Sequence, residues 1–281
     1  MSDLSATTEF NGTTLRFWTC GAEGLPWLVI SHGLGLDSKS FEALAGRLKP
    51  RWRVLRWDLP GHGESGPMPA DFDMTMSVWA LETVLVAAGC DRAVHLGFSY
   101  GGVVSQLLAY KRPSVINGLI AYGCFSPLLI KGPRVWTRWL AEKLVMRGSW
   151  QSVRERFARS CSIREDVRSQ IVDAVTRVGA AGFRKTVRAL LGVRAHDPAF
   201  RIAGPVMWIR GAQDSNSIAL NQVERALRVS HPHLVTEIVY DAGHCAHQDN
   251  PQKFEEAVEK FLEKSFLGRV SGAECVNQSV T

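Results

Sequence analysis

A serine set between glycines, an aspartate and a histidine follow one another along this chain, each just past a short β-rich run. Ser99 lies in Gly97-Phe98-Ser99-Tyr100-Gly101, after the apolar run AVHLGF and before the helical pattern VVSQLLAY. In that setting G-x-S-x-G forms a sharp strand-to-helix turn that lifts the hydroxyl clear of the sheet. The helix amino terminus behind it favours developing negative charge. Ser65, in Gly63-Glu64-Ser65-Gly66-Pro67, lacks the glycine two residues on. A serine hydroxyl is a weak nucleophile at neutral pH and needs a general base, itself oriented by an acid.

Of the eight histidines, His244 suits that task, in Tyr240-Asp241-Ala242-Gly243-His244 just beyond the last β-rich run. A loop there returns over the carboxyl ends of the strands, where open α/β sheets place their sites. His247 is the rival and reads as a solvent-facing helix or loop residue, while His32, His62 and His95 read as structural. The acid expected is Asp214, in Trp208-Ile209-Arg210-Gly211-Ala212-Gln213-Asp214. Asp241 reads as a turn residue, and no carboxylate closely follows Gly118–Tyr122. Attack on a carbonyl leaves an oxyanion in need of donors. The expected pair is the backbone N–H of Tyr100, after the serine, and that of Leu34, in Ser31-His32-Gly33-Leu34-Gly35. The six cysteines form no C-x-x-C pair, and neither phosphate-cradling glycine pattern occurs, so no metal and no cofactor is expected.

Residues so far apart in sequence need a sheet to bring them together. The runs Trp27–Ser31, Arg53–Trp57, Ala93–Phe98, Gly118–Tyr122, Val206–Arg210 and Leu234–Tyr240 are nearly all apolar, as expected of strands buried on both faces. Helical patterns over Lys39–Leu48, Met74–Ala88, Gly101–Tyr110, Ala219–Val229 and Gln252–Lys264 alternate with them. The expected fold is α/β, a mostly parallel doubly wound sheet, with Thr13–Thr19 as an antiparallel edge strand. From about Phe125 to Phe200 no strand appears, only helical stretches such as Val135–Met146 and Ile171–Val193. Residues 126–200 are therefore expected to be a helical cap inserted in a core of residues 1–125 and 201–267. The small, polar tail of residues 268–281 is expected to be flexible.

The whole chain carries 33 Lys and Arg against 27 Asp and Glu, a formal +6. Fifteen of those cations and only six of the acids fall between Phe125 and Phe200, so the remainder is slightly acidic. That location points to an anionic substrate passing under the cap rather than to nucleic acid, for which no reader motif is present. In the cap Val135, Trp136, Trp139, Leu140 and Leu144 recur at helical spacing. Their face packs on the core or, through Trp136 and Trp139, roofs a substrate pocket over Ser99. No apolar run approaches the roughly 20 residues that span a bilayer. The first ten residues lack a signal-peptide pattern, so a cytoplasmic monomer or homodimer is expected.

The segments HGLG (His32–Gly35), DLPGHGES (Asp58–Ser65), GFSYGG (Gly97–Gly102), GAQD (Gly211–Asp214) and Gly243-His244 occur in the order of the landmarks of the α/β-hydrolase superfamily. The chain resembles its helically capped serine esterases and lactonases over roughly residues 10–125 and 200–266. The resemblance implies a Ser99–Asp214–His244 triad, an oxyanion hole at Leu34 and Tyr100, and a structural turn at Asp58–Ser65. The implied activity is hydrolysis of a small-molecule carboxylic ester or lactone through an acyl-enzyme. The competing expectations on the same fold are a ligand receptor or scaffold with little turnover, and a lyase, cofactor-independent oxidation enzyme or carbon–carbon bond hydrolase.

Overall fold

The computed structural model describes residues 3–130 and 135–267, for residues 135–139 the backbone alone. Its strands are β1 (Leu4–Phe10), β2 (Thr13–Cys20), β3 (Trp27–Ser31), β4 (Arg53–Trp57), β5 (Ala93–Phe98), β6 (Ile116–Tyr122), β7 (Val206–Gly211) and β8 (Val235–Val239). They form one eight-stranded sheet in the order β1-β2-β4-β3-β5-β6-β7-β8. Strands β3 to β8 run parallel, and β2 pairs antiparallel with β4. The expected edge strand is therefore not at the edge: β1 lies outside it, joined through the turn Asn11-Gly12, both at positive φ. That dipeptide favours the tight hairpin turn. Every residue of β5 is buried, as a central parallel strand covered on both faces requires.

The helices outside the inserted stretch are α1 (Glu42–Leu48), α2 (Met74–Ala87), α3 (Tyr100–Lys111), α7 (Ser217–Ser230), α8 (Ala246–Asp249) and α9 (Pro251–Leu262). Between β6 and β7 come α4 (Val135–Val145), α5 (Trp150–Cys161) and α6 (Glu165–Gly192). Helix α5 is capped by Ser149, whose Oγ accepts from the Ser152 N–H at 3.2 Å. Helix α6 starts six residues earlier than the apolar spacing predicts, with Glu165 and Asp166 in its first turn, and breaks at Gly179 (φ 74°). Its two limbs bury Val167, Ile171 and Val175, then Phe183 and Val187.

The sheet order also decides where a site can form. From β3 the chain goes to β4 on one side, then returns to β5 on the other. The loops at the carboxyl ends of β3 and β5 therefore diverge and leave a crevice, the usual ligand position in such sheets. Leu34 follows β3 and Ser99 follows β5. Among the described residues, no helix is long and apolar enough to cross a membrane.

Candidate active site

Ser99 occupies the turn between β5 and α3 with φ 50° and ψ −110°, a backbone conformation that side chains other than glycine rarely adopt. The close packing around it explains the glycines. A Cβ on Gly97 would lie 2.5 Å from Gly102 Cα, and one on Gly101 would overlap the Ser31 carbonyl oxygen. The Ser99 N–H donates to the Tyr122 carbonyl at 2.8 Å, and that of Gly101 to the His32 carbonyl at 3.1 Å, so the turn is held by β6 and by the loop after β3.

That loop is itself pinned by two buried histidines. The Leu59 N–H donates to His32 Nε2 at 3.0 Å, and the Gly35 N–H donates to His62 Nε2 at 3.2 Å. Each remaining Nδ1 lies within 3.0 Å of a carbonyl, that of Gly33 or Pro60. Burial lowers both pKa values to about 4, so both rings stay neutral at physiological pH. Asp58 accepts the N–H groups of Ser38 and Glu64, each at 2.7 Å, which makes the Asp58–Ser65 segment a bracing turn. Among the described residues, the N–H groups of Leu34 and Tyr100 have no hydrogen-bond acceptor. The first N–H groups of any helix lack an intrahelical partner, so Tyr100 at the start of α3 is a free donor by construction.

The loops after β7 and β8 bring Asp214 and His244 together. His244 Nδ1 lies 2.6 Å from Asp214 Oδ2. Asp214 Oδ1 accepts the Asn216 N–H at 2.8 Å and its side-chain amide at 3.3 Å. Burial pushes the Asp214 carboxyl up, but the hydrogen bonds from His244 and Asn216 outweigh it and leave the pKa lowered. Burial likewise lowers His244, yet the hydrogen bond and charge of Asp214 prevail and hold the imidazole above its ordinary pKa. The main chain at His244 is held by Tyr122, whose hydroxyl donates to the His244 carbonyl at 2.7 Å.

Ser99 and His244 line the same cavity of about 370 Å³. Its walls are mostly apolar and come from both the sheet loops and the inserted helices: Leu34, Leu36, Phe98 and Phe125 on one side, Val145, Phe157, Phe183, Val187, Leu190 and Leu191 on the other. Among the described residues no Lys or Arg lines it, and no group of three or more His, Cys, Asp or Glu is arranged to hold a metal ion. A wider groove of about 710 Å³ along α2 shares no residue with it.

Residues 28–257 match the alpha/beta hydrolase family. The chain belongs to that family. It is 30% identical over 189 residues to the pimeloyl-[acyl-carrier protein] methyl ester esterase of Pectobacterium atrosepticum, covering 65% of each chain. To the enzyme of the same name from Yersinia enterocolitica it is 25% identical over 269 residues, covering 89% of this chain and 98% of the other. A crystal structure of a hydrolase from Pseudomonas aeruginosa superposes with a TM-score of 0.78 at 24% identity, covering 92% of this chain and 98% of that one, a likeness of fold.

For an α/β hydrolase, two residues depart from their sequence reading or escape it. His247 does not face solvent. It is buried, stacked on Phe41 at 4.2 Å, with its pKa pushed down by burial and by His244 to about 3, because α8 turns it inward against Phe98 and Tyr122. Asn216 was missed, although an amide two residues after an aspartate is a familiar local partner for that carboxylate. Asp241 lies exposed at φ 53°, in a bend after β8. The side chains of Trp136 and Trp139, expected to roof the pocket, lie outside the described residues, as does the tail from residue 268.

Proposed function

We propose that this α/β hydrolase is a serine hydrolase of carboxylic esters. The observation that carries the reading is that Ser99 and His244 share the wall of one apolar cavity while buried Asp214 holds His244 Nδ1 at 2.6 Å. With Nδ1–H donated to Asp214, Nε2 is left as the acceptor and takes the Ser99 proton as the hydroxyl attacks the carbonyl. The tetrahedral oxyanion receives the free Leu34 and Tyr100 N–H groups. His244 then returns the proton to the leaving alcohol, and in the second half takes one from the water that cleaves the acyl-enzyme. A lactone, an ester closed into a ring, meets the same groups.

Because the base works only when neutral, activity should rise with pH through the His244 pKa. The acid limb of kcat/KM is expected to inflect above the ordinary imidazole value of 6.5. An inflection well below that value would contradict the Asp214–His244 assignment.

The cavity walls support an apolar acyl chain as the part of the substrate that is enclosed. Among the described residues an anionic group finds no cation lining the cavity, and several arginines of the inserted helices are paired: Arg159 with Glu155, Arg168 with Glu165, Arg177 with Asp37, and Arg184 and Arg188 with Glu142. A charged portion of the substrate therefore belongs outside the cavity mouth. The similarity to methyl ester esterases of a carrier-bound acyl group supports this arrangement of apolar chain and small leaving alcohol. The five described cysteines, free and buried, support a reducing compartment such as the cytoplasm.

Steady-state kinetics on a series of p-nitrophenyl esters tests the reading. Each methylene that enters the cavity is worth about 0.8 kcal/mol, so kcat/KM should climb about fourfold per carbon until the space is filled. A flat series would overturn the apolar acyl site, and absence of turnover on any ester or lactone would overturn the hydrolase reading itself.

A further inference from the structure

The segment that ends α5, Ser160–Ile163, touches both loops that carry the acid and the base. The Ser160 carbonyl accepts from Ser215 Oγ at 3.2 Å, beside Asp214, and the Cys161 carbonyl accepts from the Cys245 N–H at 2.7 Å, directly after His244. Asp249 joins the same segment to the base from below. Its Oδ2 accepts the Gly243 N–H at 2.7 Å and the Ile163 N–H at 3.3 Å, and its Oδ1 accepts from Ser162 Oγ. Asp249 is buried and forms no ion pair among the described residues: Arg164 is turned onto Asp166, and Arg168 donates to the Ser162 carbonyl at 2.8 Å. A carboxylate buried on neutral donors alone is costly to maintain unless every donor is well placed.

The placement of these contacts is specific. Tyr122 grips the carbonyl of His244 and Asp249 grips the N–H of Gly243, so the main chain is fixed on both sides of the His244 Cα. Gly243 is free to swing without that grip. Ser160 and Cys161 also line the cavity, so the segment that Asp249 holds is part of the acyl site's wall.

We propose that Asp249 is a positioning residue that fixes the His244 main chain against Ser162–Ile163, so that one buried carboxylate sets both the reach of the imidazole and the seat of the inserted helices over the cavity. The inference rests on the reading of His244 as the general base. It differs from the Asp214 contact, which orients the ring, in acting only through backbone and through the inserted segment.

The test compares Asp249→Ala, Asp249→Asn and Ser162→Ala with the parent protein. Loss of the grip misplaces the base, and misplacement on the order of 1 Å costs about a hundredfold, so Asp249→Ala should lose about that factor in kcat with KM little changed. Asp249→Asn, which keeps an acceptor for the Gly243 N–H, should recover most of it. Ser162→Ala should lower kcat several-fold, and the double variant should be no worse than Asp249→Ala alone. The acid limb of the pH profile and the low-field imidazole Nδ1–H proton resonance should move in Asp249→Ala, which a general loss of stability would not produce. Unchanged kcat and pH limb in folded Asp249→Ala would overturn the proposal, and if that variant does not fold, the same result in Ser162→Ala would do so. The proton resonance is read without turnover. A parent protein that shows the resonance shift on Asp249→Ala yet cleaves no ester sinks the hydrolase reading and leaves the positioning role standing.

Discussion

Ser99→Ala is expected to lower kcat on the best ester by about a million-fold, the loss that removal of a serine nucleophile brings in a comparable triad. At about 1.4 kcal/mol per decade this amounts to roughly 8 kcal/mol of transition-state stabilisation. The size follows from what is left behind. Alanine keeps the Cβ, so the turn held by Tyr122 and His32 has no reason to change. Two neighbouring groups are poorly placed to take over: Cys124 has its thiol pushed up to about 12 by burial, and Ser160 spends its hydroxyl on the Phe157 carbonyl, which leaves Cys161, its thiol pKa lowered by the hydrogen bond from Cys245, as the described alternative. Water attacking directly, helped by His244 and the two free N–H groups, sets the residual rate. Thermal unfolding of the variant should match the parent, and a residual kcat above about one per cent would mean that another nucleophile does the work.

Asp214→Asn is expected to lower kcat by about ten-thousand-fold while leaving the fold intact, the effect of presenting the wrong tautomer to the substrate. Asp214 Oδ2 accepts from His244 Nδ1, and Asn216 holds the other oxygen, so the carboxylate has both oxygens committed. An asparagine would keep its carbonyl on the Asn216 N–H and turn its NH2 toward the ring. Nδ1 then becomes the acceptor, the proton moves to Nε2, and the base is blocked. Removing the charge also removes what holds the imidazole above its ordinary pKa, so the residual activity should persist to lower pH than in the parent. A loss under tenfold with an unmoved acid limb would show that Asp214 does not orient the base.

The parts of the fold written in contiguous apolar runs were legible. The strands β3, β4 and β5 fall on the residues where hydrophobic runs place them, because buried parallel strands carry apolar residues on both faces. Strand β1 was not legible: LSATTEF buries only Phe10, and its one local signal is the Asn11-Gly12 turn that follows it. The proximity of Asp214 to His244 could be argued from their places after successive strands. The further supports could not. Tyr122 reaches the His244 carbonyl across 122 residues, and Asp249 joins Gly243 to Ser162 across 87, contacts with no periodicity to betray them. His247 misled for a related reason, since a four-residue helix has no pattern from which to read its inward face. The charge of the inserted helices was countable, but the pairing of Arg188 with Glu142 depends on how α6 packs on α4, and that of Arg177 with Asp37 on how α6 sits over the loop after β3.

The measurement that bears most directly on Ser99 as the activated nucleophile is covalent labelling of the intact protein with a fluorophosphonate, followed by mass spectrometry of its peptides. One equivalent of label per chain is expected, on the peptide that contains Ser99, none in Ser99→Ala, and strongly slowed labelling in His244→Ala. An active parent protein that takes up no label, or takes it up at another residue, would contradict that role of Ser99.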